Sequence, residues 1–177
     1  MRKILIVVDM QNDFVDGALG TPEAQQIVPA VAKKIRSYPK ENVVYTLDTH
    51  SEEYMNTQEG KNLPVMHCIR GTQGWNLNPV IAELSEGSER FEKPTFGSVL
   101  LGETLKSVTE RDDLELELVG LCTDICVVSN ALLLKAMMPE VPISVDASCC
   151  AGVTPESHAH ALATMKACQI HVTGEQN

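Results

Sequence analysis

The stretch KILIVVD, residues 3–9, places five consecutive apolar residues, Ile4 to Val8, directly before a carboxylate. Such a run reads as a strand covered on both faces, as in a parallel sheet. Three more runs of this kind follow: NVVYTLD (42–48), ELELVGL (115–121) and VPISVDA (141–147). Helical patterns separate them. Val28 to Tyr38 has apolar residues at Val28, Val31, Ala32 and Ile35, with Pro29 in its first turn. Asn78 and Pro79 open a second helix, and Ile125 to Met138 is a nearly uniform apolar helix stopped by Pro139. A fourth opens at Thr154 and runs to about Cys168, and QIHVT (169–173) can form a last strand. Alternation of strand and helix predicts one α/β domain over residues 1–177, a Rossmann-like three-layer sandwich with a mainly parallel sheet. The long irregular stretch is Thr49 to Trp75, and loops of that length in a compact domain usually serve function.

Composition narrows the function classes. A net charge of −10 argues against nucleic acid or an anionic membrane as partner, since both select clustered Lys and Arg. No apolar run approaches the ~20 residues of a membrane span, and Ile4–Val8 is too short for the core of a secretion signal, so a cytoplasmic location is expected. The six cysteines are then expected as reduced thiols.

Ligands of an open parallel sheet bind beyond the C-terminal ends of its strands. Asp9 follows the first strand, Asp48 and His50 the second, and Gly120 to Cys126 the third, so these groups converge on one rim. Cys126 is expected in the first turn of a helix, where free N–H groups and the helix dipole favour a thiolate and can bind an oxyanion. A small buried hydrophobe is the alternative reading of that cysteine. Lys93, in RFEKPTFGS (90–98), follows a short strand expected over Ser88–Glu92. It reads as a surface lysine unless it lies near Asp9 and Cys126, where its charge would hold the aspartate and lower the thiol pKa. The pair Asp48 and His50, with His67 on the following loop, offers oxygen and nitrogen ligands suited to zinc or a similar ion; solvated loop histidines are the alternative.

The segments DMQNDF (9–14), the Lys93 stretch and GLCTDICV (120–127) together resemble the isochorismatase-like cysteine hydrolase superfamily. The resemblance spans nearly the whole chain. It implies an Asp9–Lys93–Cys126 triad, with Cys126 attacking an amide carbonyl and an oxyanion hole from the N–H groups of Cys122 and Cys126. It also implies a cis Leu121–Cys122 peptide and a small-molecule amide as substrate, with Phe14 and Leu121 at the pocket. The D-x-H and H-C-x-x-G-T pattern (48–50 and 67–72) is similar to the nicotinamidase/pyrazinamidase branch. That likeness implies a divalent metal, zinc first with manganese or iron as alternatives, on Asp48, His50, Glu59 and His67. It implies as well a homo-oligomer. The residues before His67, Leu63 to Met66, lack the aromatic common in that branch, which leaves Trp75 or Phe96 as further candidate walls. Another small amide or ureido substrate is the alternative within the family, and a catalytically silent binding protein the alternative outside it. No G-x-G-x-x-G or Walker A pattern supports a nucleotide-binding reading.

Overall fold

A computed structural model describes residues 1–175. Its elements run β1 (Arg2–Val8), α1 (Asn12–Val15), α2 (Pro22–Arg36), β2 (Val43–Asp48), α3 (Gln58–Asn62), α4 (Pro79–Leu84) and β3 (Arg90–Lys93), followed by α5 (Val99–Thr109) and β4 (Leu114–Leu121). A π-turn (Thr123–Val127), α6 (Val128–Met137), β5 (Ile143–Ala151), α7 (Pro155–Ala167) and β6 (His171–Thr173) complete the described chain. All pairings are parallel, in the order β3-β2-β1-β4-β5-β6. Among the described residues no helix is long and apolar enough to cross a membrane, and all six cysteines are free.

Successive side chains of a strand face opposite ways, and β1 serves both sides of the sheet. Ile4, Ile6 and Val8 join a core with Leu101, Leu105, Ala131 and Leu134 of α5 and α6, while Leu5 and Val7 join Val31, Ala32 and Ile35 of α2. An uninterrupted apolar run is what such double coverage demands. Strand order reverses between β1 and β4, so the residues after these two strands flank the topological switch point.

Several boundaries differ from the sequence reading. Helix α2 begins at Pro22, because Thr21 caps it by accepting the Ala24 N–H at 3.0 Å. Pro29 is therefore interior, on an exposed face where water can reach the carbonyl it leaves free. Strand β5 runs on to Ala151, since Cys149, Cys150 and Ala151 stay buried after a register shift opposite Leu118 and Gly120. Helix α5, capped by Ser98 and buried through Leu101 and Leu105, is not anticipated by the sequence reading. The expected helix over 125–138 is a π-turn followed by α6: the Cys122 carbonyl accepts the N–H groups of both Ile125 and Val127, at 3.1 and 3.0 Å. Lys93 ends β3 rather than following it, paired in register with Asp48.

Gly120 has φ +116°, and a Cβ there would overlap the Val8 carbonyl oxygen in the neighbouring strand. Gly120→Ala should consequently lower the melting temperature by roughly 5 °C or more, from backbone strain plus a forced separation of β1 and β4. Thermal denaturation checks this; an unchanged melting point would mean the two strands tolerate a wider gap than the packing indicates.

Candidate active site

Asp9 follows β1 in the left-handed region, φ +46°, a conformation that Asp tolerates better than bulkier residues. The turn carries its carboxylate beneath the rim, fully buried, so Asp9 is not the first residue out in solvent. Thr46 of β2 donates to Asp9 Oδ1 at 2.6 Å. Lys93 Nζ lies 2.6 Å from Oδ2 as an ion contact, and no donor in regular hydrogen-bond geometry occupies that oxygen. The same ammonium is 3.4 Å from Cys126 Sγ, 3.3 Å from Asp48 Oδ1 and 3.0 Å from the Thr95 carbonyl. Lys93 is 1% exposed, which removes the surface-lysine reading.

Charge in this enclosure is set by burial and proximity. Burial raises the Asp9 pKa, against the attraction of Lys93 and with added repulsion from Asp48. Burial works the other way on Lys93, but the charges of Asp9 and Asp48 outweigh it and keep the ammonium protonated. Cys126 departs from the sequence expectation: burial, then the Asp9 charge, push its thiol well above the ordinary range, overriding Lys93. The resting pair is thus a buried thiol beside a carboxylate whose basicity burial has raised.

The second cluster adjoins the first through Asp48. His50 Nε2 lies 3.0 Å from Asp48 Oδ2 and 3.7 Å from Glu59 Oε1; His67 Nε2 lies 3.5 and 3.8 Å from the same atoms. One ligand atom from each of Asp48, His50, Glu59 and His67 falls within 4.8 Å of every other. Two ligands of one zinc, each ~2.0–2.2 Å from it, stand roughly 3–3.5 Å apart, so the donor set fits a divalent ion after small adjustment. His67 Nδ1 is tied to the Val65 carbonyl at 2.8 Å, which assigns the proton to Nδ1 and leaves Nε2 as the ligand atom. Burial would raise Asp48, but hydrogen bonds from the two histidines and the Lys93 charge hold it below the ordinary carboxylate range.

Phe14 is buried, with its ring 5.5 Å from that of His67, edge to face. The Leu121 side chain is buried in the α2-side core cluster that also holds Phe14, and the Leu121–Cys122 peptide is cis. The Cys122 N–H meets no hydrogen-bond acceptor among the described residues. The Trp75 indole donates to Thr49 Oγ1, between Asp48 and His50, at 2.8 Å, whereas Phe96 is exposed at 41%.

Supporting residues escaped the sequence reading. Gln11 brackets the Asp48 backbone, donating to its carbonyl at 2.8 Å and accepting its N–H at 2.7 Å. Asp13 accepts the Cys68 N–H at 2.8 Å and so fixes the His67 loop. The Tyr54 ring packs 4.8 and 5.0 Å from the rings of His50 and His67. Asn130 accepts the Ser98 N–H and donates to the carbonyls of Phe96 and Cys126, which locks the loop after Lys93 to the π-turn. The available signal was a polar residue, Asn130, inside an apolar helix, since buried polar groups need partners.

Residues 3–177 match the family described as the isochorismatase domain. The chain is 32% identical over 173 residues to a Bacillus subtilis isochorismatase family protein, PncA, spanning 92% of this chain and 93% of that one. The crystal structure of the nicotinamidase/pyrazinamidase PncA of Bacillus subtilis superposes with a TM-score of 0.83 at 29% identity, covering 98% of this chain and 100% of that chain. The pyrazinamidase of Pyrococcus horikoshii in complex with zinc gives 0.81 at 26% identity, covering 99% and 100%.

Proposed function

The chain belongs to the isochorismatase domain family, and from that premise we propose that it is a nicotinamidase-like cysteine amidohydrolase, converting nicotinamide to nicotinate and ammonia. One observation carries the reading. A single buried ammonium, Lys93, lies 2.6 Å from Asp9, 3.4 Å from the Cys126 thiol and 3.3 Å from a carboxylate of a four-residue ligand cluster.

Asp9 Oδ2 takes the thiol proton as Cys126 Sγ attacks the amide carbon. The negative charge that develops on the carbonyl oxygen meets the N–H groups of Cys122 and Cys126. Asp9 returns the proton to the departing nitrogen, ammonia leaves and a thioester remains. Asp9 then takes a proton from water, whose oxygen attacks the thioester carbon; nicotinate departs and the proton returns to Sγ. Lys93 stays protonated throughout and offsets the carboxylate and the forming thiolate. A divalent ion on Asp48, His50, Glu59 and His67 would supply a Lewis-acidic anchor for the ring nitrogen of the substrate. The basicity that burial gives Asp9 supports its assignment as base.

An ammonia-release assay over nicotinamide, pyrazinamide, benzamide and a ureido compound tests the proposal. Nicotinamide and pyrazinamide should be hydrolysed at least about 10-fold faster than benzamide, which lacks the ring nitrogen. Preference for the ureido compound would move the substrate elsewhere in the family. Elemental analysis should find about one divalent ion per chain, lost in His50→Ala together with activity. A metal-free preparation with full activity would remove the ion from the proposal.

A further inference from the structure

Behind the turn that carries Cys122 and Cys126 lie contacts that the reaction above does not use. Thr123, fully buried, has its Oγ1 2.7 Å from Nδ1 of His158 on α7. One residue on, the Asp124 carboxylate accepts the Val153 N–H at 3.1 and 3.3 Å. The π-turn is thereby tied twice to the junction between β5 and α7. Gly152 permits the approach of α7, because a Cβ there would stand 2.8 Å from the His158 backbone nitrogen. Burial holds the imidazole below its ordinary pKa, against the Asp124 and Glu175 charges, so the ring is neutral near pH 7 and either tautomer bonds Thr123.

The Cys122 N–H precedes Thr123 directly and is free of acceptors among the described residues. We infer that His158 is a positioning residue, which acts through Thr123 Oγ1 to hold the π-turn so that the Cys122 and Cys126 N–H groups point at the developing oxyanion. This rests on the amidohydrolase reading, and it adds a residue outside the triad, the ligand cluster and the oxyanion hole. Removing one oxyanion donor outright costs roughly 100- to 1,000-fold in kcat, so misaiming the pair should cost about 10- to 100-fold.

The test compares His158→Ala, His158→Asn, Thr123→Val and Thr123→Ser in three measurements. The first is kcat and KM for nicotinamide. The second is the rate at which iodoacetamide alkylates Cys126, read by peptide mass spectrometry. There Sγ displaces iodide and the thiol proton passes to Asp9, with no oxyanion formed. The third is protection of Cys126 by pyridine-3-carboxaldehyde, in which Sγ bonds the carbonyl carbon and the thiol proton ends on its oxygen. His158→Ala and Thr123→Val should lower kcat about 10- to 100-fold with KM within about 3-fold, and weaken aldehyde protection about 10-fold. Alkylation should stay within about 3-fold. His158→Ala combined with Thr123→Val should lose no more than either change alone, because both act on one contact. Asn, which can place a nitrogen or oxygen near the Nδ1 position, and Ser should recover most of the loss. Equal losses in all three measurements would reduce the contact to general scaffolding, and no loss in any would remove His158 from the mechanism. A wild type that hydrolyses no amide would sink the function while the aldehyde comparison still decides the role of His158. Absence of aldehyde protection in the wild type would overturn the oxyanion turn itself.

Discussion

Cys126→Ala should lower ammonia release from nicotinamide by about 10,000-fold, to the level of binding and electrostatic positioning alone. The size follows from the geometry. In the proposed reaction Asp9, Lys93 and the π-turn have no covalent route to the product without Sγ, and their remaining effect would be to orient the amide and a water. The variant should fold normally, because Cys126 is a small group at the edge of a well-filled core and Ala removes only a sulfur. Thermal denaturation within a few degrees of wild type, with nicotinamide still bound, would separate lost chemistry from lost structure. Retained turnover would end the nucleophile assignment. The thiol's raised pKa also changes the expected labelling pattern: exposed Cys168, and not Cys126, should react first with iodoacetamide in the free protein.

Lys93→Met should be the most destabilising single change at the site. It removes the charge between Asp9 and Asp48, 2.6 and 3.3 Å away, and leaves two buried carboxylates facing one another. Breaking a buried pair from one side costs about 3–5 kcal/mol, which for a chain of this length is a fall of roughly 6–20 °C in melting temperature. The pH dependence has a definite sign. Asp9 already has its folded pKa raised by burial, and loss of Lys93 raises it further, so the folded state binds more protons than the unfolded state. Stability of the variant is then lost as pH rises and recovered as it falls, and the gap to wild type should narrow between pH 7 and pH 5. Asp9→Asn added to Lys93→Met should restore part of the loss at pH 7. A variant whose deficit does not change with pH would place the damage in packing rather than charge.

The rim was readable from the chain because both strand burial and strand-end position are local properties. The first two apolar runs each end on a carboxylate at the C-terminal end of the strand, so Asp9 and Asp48 could be located by counting along their own strands. Lys93 could not. Nothing in RFEKPTFGS separates a solvated lysine from one that is 1% exposed, since the difference lies in Asp48 on the neighbouring strand and Asp9 after the strand beyond it. Gln11 was missed for the same reason: its two bonds to Asp48 cross to another strand. The Thr123–His158 contact spans two elements whose approach depends on Gly152.

By itself the sequence determined the sheet, its double coverage and the rim on which polar groups gather, because hydrophobic periodicity is written residue by residue. Only the tertiary structure decided protonation and reach. The thiol's proton, the basicity of Asp9 and the assembly of the four-ligand cluster all arise from desolvation and from charges a few ångströms away. Those quantities depend on inverse distance between groups remote in the chain, and no local pattern encodes them.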